Sequence, residues 1–304
     1  MPEAAKPRPR IRSVDEVTPR PPADQVELDY WIRTMVIDHR YNTAEIALAT
    51  GLSHPEVERA RAGIDPDAEP AGEGRLRVRP YPGGRHPRTG FLEGAIDPQR
   101  ETKVSVFIPW DPQSYVVVDV PEAIWSNLGL LYLAHHHAEA PTIWDERGIG
   151  LDPLEWSRDE GRLVLERELP NGVRFGTTVE SSREAVRMEI RLTNGTDQAL
   201  TGLKVQNCVM LRGVRGLESH PVNDQVAREP LVALPLSAAR DRWIITGWRP
   251  LWRLWGNPSC PCIHADPQLP DCPAGGTTTV RGWLSFYEGS GVRAELDRIE
   301  AKEW

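Results

Sequence analysis

Along much of the chain, apolar and polar residues alternate with a period of two. Val186–Leu192 is the clearest case: Val186, Met188, Ile190 and Leu192 are separated by Arg187, Glu189 and Arg191, the pattern of a strand with one buried face. Alternating or β-branched runs recur at Lys103–Ile108, Tyr115–Val120, Leu130–His135, Leu163–Glu168, Lys204–Leu211, Trp243–Gly247 and Val280–Tyr287. Turn signals such as Pro170-Asn171-Gly172 and Asn194-Gly195-Thr196 separate them. No long helical patterns intervene, which argues against a doubly wound α/β sheet. The prediction is a mainly β fold, a large antiparallel β-sandwich over residues 75–304.

The period is different before residue 65. Trp31, Met35, Val36 and Ile37 lie close to one helical stripe, and Asn42 is placed to cap a helix Thr43–Thr50 with Glu45 at its third position and Gly51 at its end. Ser53 with Glu56 repeats the capping pattern for a helix running to about Arg61. A helical module is therefore expected over 25–64, joined by a Pro/Gly-rich linker at 65–74. It follows a tail over 1–24 whose six prolines and few large apolar residues predict disorder.

Ala47, Gly51 and Val57 stand at offsets of four and six, and this stretch resembles a helix-turn-helix unit. The resemblance implies that Ser53–Arg61 would be the recognition helix. Its charge argues otherwise: Glu56 and Glu58 accompany Arg59 and Arg61, and residues 25–64 hold six acidic against four basic groups. A DNA reader is ordinarily basic here, so nucleic acid is not expected and a docking or dimerisation module is.

The whole chain of 304 residues carries a net charge of −8, which also disfavours phosphate-backbone binding. No apolar run approaches the roughly 18 residues needed to span a bilayer, and the first residues lack an apolar signal core. A soluble, cytoplasmic protein with reduced cysteines is the expectation. Tryptophan is over-represented, with 11 Trp against 6 Tyr and 4 Phe; core packing is the first use of such residues and sugar stacking the second.

Three groups of residues suggest chemistry. Cys260-Pro261-Cys262-Ile263-His264-Ala265-Asp266, with Cys272 six residues on, concentrates three of the four cysteines in what reads as a rigid loop. A Cys260, Cys262, His264, Cys272 set can close a zinc tetrahedron, although one residue between Cys260 and Cys262 is tighter than the usual two to four. A disulfide from Cys260 or Cys262 to Cys272 is a second option. The favoured one leaves the thiols as small buried groups, while His264 and Asp266 share a face if extended and form an acid/base pair or a ligand with its partner.

His135-His136-His137 ends an apolar strand, which places His135 and His137 on one face as a half-site for a divalent metal such as Zn, Mn or Fe. The spacing is that of cupins, but the Glu expected three or four residues later is missing. Arg85, Arg88 and Arg100 lie in or beside a Gly/Pro-rich loop suited to holding a carboxylate or phosphate. Trp144, Trp248 and Trp252 fall in irregular stretches and suit stacking on sugar CH faces.

The Asn-Gly-Thr-Asp turn leading into Leu200–Leu211, within the strand-rich half, resembles sugar-binding supersandwich domains of the galactose-mutarotase type. The arrangement as a whole also resembles an uncharacterised bacterial family, which implies no activity. The sandwich resemblance implies carbohydrate binding or processing. The expected catalytic residues are His135, His137, His264, Asp266 and Glu146. Any metal is expected at His135, His137 and His264, and the ligand is a saccharide, with arginines suited to an anionic one. The alternative is a ligand-sensing or scaffold protein whose helical module docks a partner or DNA.

Overall fold

Alternation along the strands becomes two stacked antiparallel sheets. The computed structural model describes residues 18–68, 74–88, 95–98, 100–137, 140–217, 224–257 and 260–304, with the backbone alone at 95–98, 136 and 137. Among these, a six-stranded sheet runs in the order Val78–Pro80, Lys103–Ile108, Asp111–Asp119, Val209–Met210, Cys262–Pro267, Leu251–Asn257. An eight-stranded sheet runs from Val226–Arg228 through Leu231–Pro235, Arg242–Arg249, Thr277–Glu288, Val186–Thr193, Arg174–Ser181 and Arg162–Glu168 to Ser157–Asp159. The facing sides share one core: Val104, Val106, Val116, Val118 and Ile263 from the first sheet meet Leu165, Phe175, Met188, Ile190 and Leu284 from the second. The mainly β sandwich is what the period-two pattern implied.

Each sheet has its other side covered differently. The helix Val292–Glu300, which the sequence reading missed, lays Val292, Leu296 and Ile299 on Leu231, Trp243, Ile245 and Trp283. The outer side of the six-stranded sheet carries polar and sulfur-bearing residues, and it positions the site described below.

The N-terminal helices form as their caps dictate. Asn42 and Glu45 make the reciprocal capping box of Thr43–Thr50, which ends at Gly51 with φ 75°. The first helix, Gln25–Arg33, passes into a π-helical turn, Thr34–Asp38. Trp31, Met35, Ile46 and Val57 fill a small core of their own.

This module is fastened to the sandwich. His39 Nε2 lies 2.9 Å from Ser105 Oγ, Asp38 is within 3.3 Å of Arg77 and Arg79, and Arg158 pairs with Glu27. His54–Arg61 buries Val57 and keeps Glu56, Glu58 and Arg59 exposed, so its outer face is of mixed sign. Of the tail expected over 1–24, residues 1–17 lie outside the described residues. The remainder is fixed in place by Arg20, which bonds Glu101 (2.8 Å) and the Ala49 carbonyl (2.8 Å). Half of the linker, 69–73, also lies outside the described residues. No helix is long and apolar enough to cross a membrane among the described residues.

Candidate functional site

The cysteine segment is a strand, not a loop. Cys262–Pro267 pairs with Val209–Met210 on one side and with the edge strand Leu251–Asn257 on the other. Ile263 and Ala265 face the core, so Cys262, His264 and Asp266 point together to the outer side. The expected sharing of a face by His264 and Asp266 arises in this way. The edge-strand register sets Trp255 opposite His264 and Arg253 opposite Asp266, and cross-strand pairs at that spacing are in contact.

Asp266 is the anchor. It is fully buried; Oδ1 accepts from the Asn207 backbone N–H (3.0 Å), and Oδ2 accepts from Arg253 Nε (2.6 Å) and Trp255 Nε1 (2.7 Å). His264 lies between its neighbours: Nδ1 is 3.5 Å from Asp266 Oδ1, and Nε2 is 3.4 Å from Cys262 Sγ. The first separation is long for a hydrogen bond, so Asp266 acts on the ring chiefly as a counter-charge. Burial pulls the imidazole pKa down, but Asp266, the Cys262 thiol and Glu122 outweigh it and raise the pKa to about 10.

Behind His264 is a buried ionic cluster. Glu122 pairs with Arg88 and accepts from Gln206 Nε2 (2.8 Å), and His135 Nδ1 stands 4.0 Å from its Oε1. Arg88 Nη2 also lies 3.4 Å from Asp119, which is itself 2.9 Å from Lys103 Nζ. Buried charges persist when paired in this manner. Burial pushes the Glu122 carboxyl pKa up, but Arg88, His264 and His135 overcome it and hold the pKa well below the usual range. Cys208, Cys260 and Cys262 are all buried beside this cluster, and burial raises the Cys208 thiol to about 11. Arg88, Glu122, Gln206, Cys208, Trp255 and His264 are among the residues bordering a cavity of about 20 Å3, room for one water or one ion.

The expected site residues separate into two groups. His264, His135 and Arg88 come together around Glu122, with Asp266 beside His264, across 178 residues of sequence (266 − 88). The side chain of His137 lies outside the described residues. Arg85 and Arg100 are elsewhere, and this corrects the three-arginine anion site. Arg85 is committed to Glu45 (2.7 Å) and Tyr115 (2.9 Å), and Arg100 to Glu155 and the Trp31 ring (4.0 Å). Both hold the helical module to the sandwich.

Trp144 and Trp248, expected as stacking platforms, are 1% exposed core residues; the Trp144 indole N–H donates to the Leu131 carbonyl (2.7 Å). Local irregularity of sequence did not imply exposure, because both indoles fill the space between the sheets. Glu146 is exposed in the turn Asp145–Arg147 and does not line the cavity.

Cys272 bridges Leu200 and its carbonyl accepts from Asn194 Nδ2 (3.0 Å), so it does not join Cys262. Cys208 takes the place expected for it. No disulfide joins any two of the four cysteines.

Trp255, Arg253, Glu122, Gln206 and Cys208 are the residues that sequence reasoning missed. The one available signal was Trp255 and Arg253 in the tryptophan-rich stretch Leu251–Asn257 just before the cysteine segment. Trp252, Arg253 and Trp255 are half-buried on the edge strand. The Arg253 guanidinium lies over both indoles, at 4.2 and 4.9 Å, and Lys204 Nζ is 4.7 Å from the Trp252 ring.

A much larger cavity, about 750 Å3, is elsewhere, at the seam between the helical module and the sheets. Of the arginines that line it, Arg77 and Arg79 are paired with Asp38, Arg158 with Glu27 and Arg162 with Glu180. The small cavity is the one bordered by His264, Glu122 and the thiols.

No protein-family model and no curated protein matches the chain. Among solved structures it is similar to the Slr1438 protein of Synechocystis sp. PCC 6803, with 13% identity, a TM-score of 0.35, and coverage of 62% of this chain and 88% of that one. It is also similar to the heparan sulfate lyase HepC of Pedobacter heparinus, with 12% identity and a TM-score of 0.28, over 45% of this chain and 21% of the lyase. The chain thus spans about a fifth of the lyase's length.

Proposed function

We propose that the outer side of the six-stranded sheet binds a saccharide at its half-buried edge and acts on one substituent of it at the buried end. The observation that carries this reading is the arrangement on the edge strand: Arg253 laid over Trp252 and Trp255, with Trp255 stacked on His264. Indole faces suit the CH faces of a sugar ring, and guanidinium and amide groups beside them suit its hydroxyls. Lys204 and Arg253 add positive charge at the edge, which favours an anionic saccharide.

The cavity of about 20 Å3 takes a single small substituent and not a ring. The sugar therefore lies along Trp252 and Trp255 and directs a hydroxyl or carboxylate inward. There Arg88 and Gln206 orient it, and Glu122, with His135 4.0 Å away from it, is the group placed to move a proton.

Calorimetric titration with neutral, uronic-acid and sulfated saccharides tests this. Binding is expected to be tightest for the anionic members and to weaken about tenfold or more in Trp255→Ala and Arg253→Ala, in line with the loss of one stacking or charged contact. Undiminished binding in both variants, or no binding across the panel, contradicts it.

A further inference from the structure

We infer that Cys208, Cys262 and His264 form a zinc-binding site. Their ligand atoms all lie within 4.8 Å of one another, and each residue is at most 2% exposed. Ligands around a tetrahedral zinc at sulfur and nitrogen bond lengths are about 3.4–3.8 Å apart. The His264 Nε2 to Cys262 Sγ separation of 3.4 Å already meets this, and a closure of about 1 Å brings in the rest.

The fold supplies the set directly. Cys262 and His264 share a face by alternation, and continuing the register Val209↔Ile263 sets Cys208 opposite His264. Two thiols and an imidazole favour zinc over the hard cations magnesium, calcium and manganese.

The surroundings fit a metal as well. The three residues border the cavity of about 20 Å3, enough for one ion. Asp266 stands on the far side of the imidazole, 3.5 Å from Nδ1, where a carboxylate orients a ligating histidine. Cys260 is buried in the same cluster. Glu122 and Arg88 line the remaining side of the cavity, which has room for one occupant, so zinc and the proposed substituent are alternatives there. Binding displaces the two thiol protons and the proton of the His264 imidazolium, three in all released to solvent, and needs no redox partner. The inference stands on side-chain geometry and does not depend on the saccharide reading.

The test is elemental analysis of the full chain purified without chelator, followed by cobalt(II) titration of the stripped protein. One zinc per chain is expected. The cobalt form should show near-ultraviolet thiolate charge-transfer bands and the visible bands of a tetrahedral site. Cys208→Ser and Cys262→Ser should lose the metal, Cys272→Ser should retain it, and Asp266→Asn should weaken affinity about 10- to 100-fold.

The cobalt spectrum of the wild-type chain needs no variant, so it decides the matter even where a serine variant fails to fold. A folded wild-type chain that takes up neither ion, a cobalt spectrum without thiolate bands, or a Cys208–Cys262 disulfide overturns the inference. Saccharide titration of zinc-loaded and stripped protein separates its failure from that of the saccharide reading.

Discussion

Trp255 lies flat on His264, with ring centroids 3.9 Å apart and planes inclined by 18°. The stack is a consequence of strand register, since the two residues are direct cross-strand partners. The indole N–H closes the arrangement by donating to Asp266 Oδ2 at 2.7 Å, so one residue covers the imidazole and helps to satisfy its counter-ion.

Trp255→Phe should separate these two roles. It keeps an aromatic face on His264 and removes one donor to Asp266, which retains Arg253 and the Asn207 N–H. The expected cost is about 1 kcal/mol in urea unfolding. Trp255→Ala should cost more, because it also uncovers the imidazole. Equal stabilities for the two variants would show that the stack contributes nothing.

Arg88 is the cation shared by Glu122 and Asp119. Arg88→Met leaves the buried Glu122 without its strongest partner, while Asp119 keeps Lys103 at 2.9 Å. A loss of about 3–5 kcal/mol is expected. The double variant Arg88→Met/Glu122→Gln should recover much of it, since the unpaired charge is then gone. Additive losses in the double-mutant cycle would contradict this account.

Protonation of His39 should loosen the seam between the module and the sandwich. Its ring is enclosed by Tyr41, Phe107 and Tyr115, contacts the Thr34 carbonyl and Ser105 Oγ, and has Arg77, Arg79 and Arg85 nearby. Burial, reinforced by these arginines, lowers its pKa from 6.5 to about 3. Between those values the unfolded chain binds a proton that the folded chain does not. Stability therefore falls as pH drops through this window, by up to about 1.4 kcal/mol per pH unit, and the effect is absent above it. Comparing unfolding of the wild type with His39→Asn between pH 7 and 5 isolates this contribution from the carboxylates. A wild-type slope no steeper than that of the variant would refute it.

Gly84 packs directly against the helix Thr43–Thr50. It has φ +77°, and an added Cβ would lie 2.4 Å from the Glu45 carbonyl oxygen and 2.8 Å from Ala49 Cβ. Gly84→Ala combines a strained backbone with a backbone clash, at about 1–3 kcal/mol or more. Limited proteolysis should then cut first within residues 18–68 while the sheets stay protected. An unchanged cleavage pattern would show that this contact does not hold the module.

The strands and caps were legible because their signals are local. Val186–Leu192 reads its burial pattern directly, and Asn42, Glu45 and Gly51 specify one helix among them. The candidate site was legible only in part. A spacing of two placed His264 and Asp266 on one face, yet the flanking prolines suggested a loop, and the apolar pair Ile263 and Ala265 was too short to stand out as a strand.

Cys208 could not be matched to Cys262 from sequence, because 54 residues separate them (262 − 208) and only the pairing of Met210 with Cys262 brings them together. The tryptophans failed for a related reason. Trp248 and Trp255 stand in similar surroundings in the chain, and which one is buried depends on the face each strand turns to the core. Arg85 and Arg100 belong to the seam with the helical module, a surface that no local pattern announces.

The most direct measurement is a crystal structure of the full chain with the tightest-binding anionic saccharide. The account predicts the sugar ring on Trp252 and Trp255, in contact with Arg253, with one substituent directed between Arg88 and Glu122. A sugar seated in the arginine-lined seam beneath the helical module, or anywhere that leaves Trp255 untouched, would contradict it.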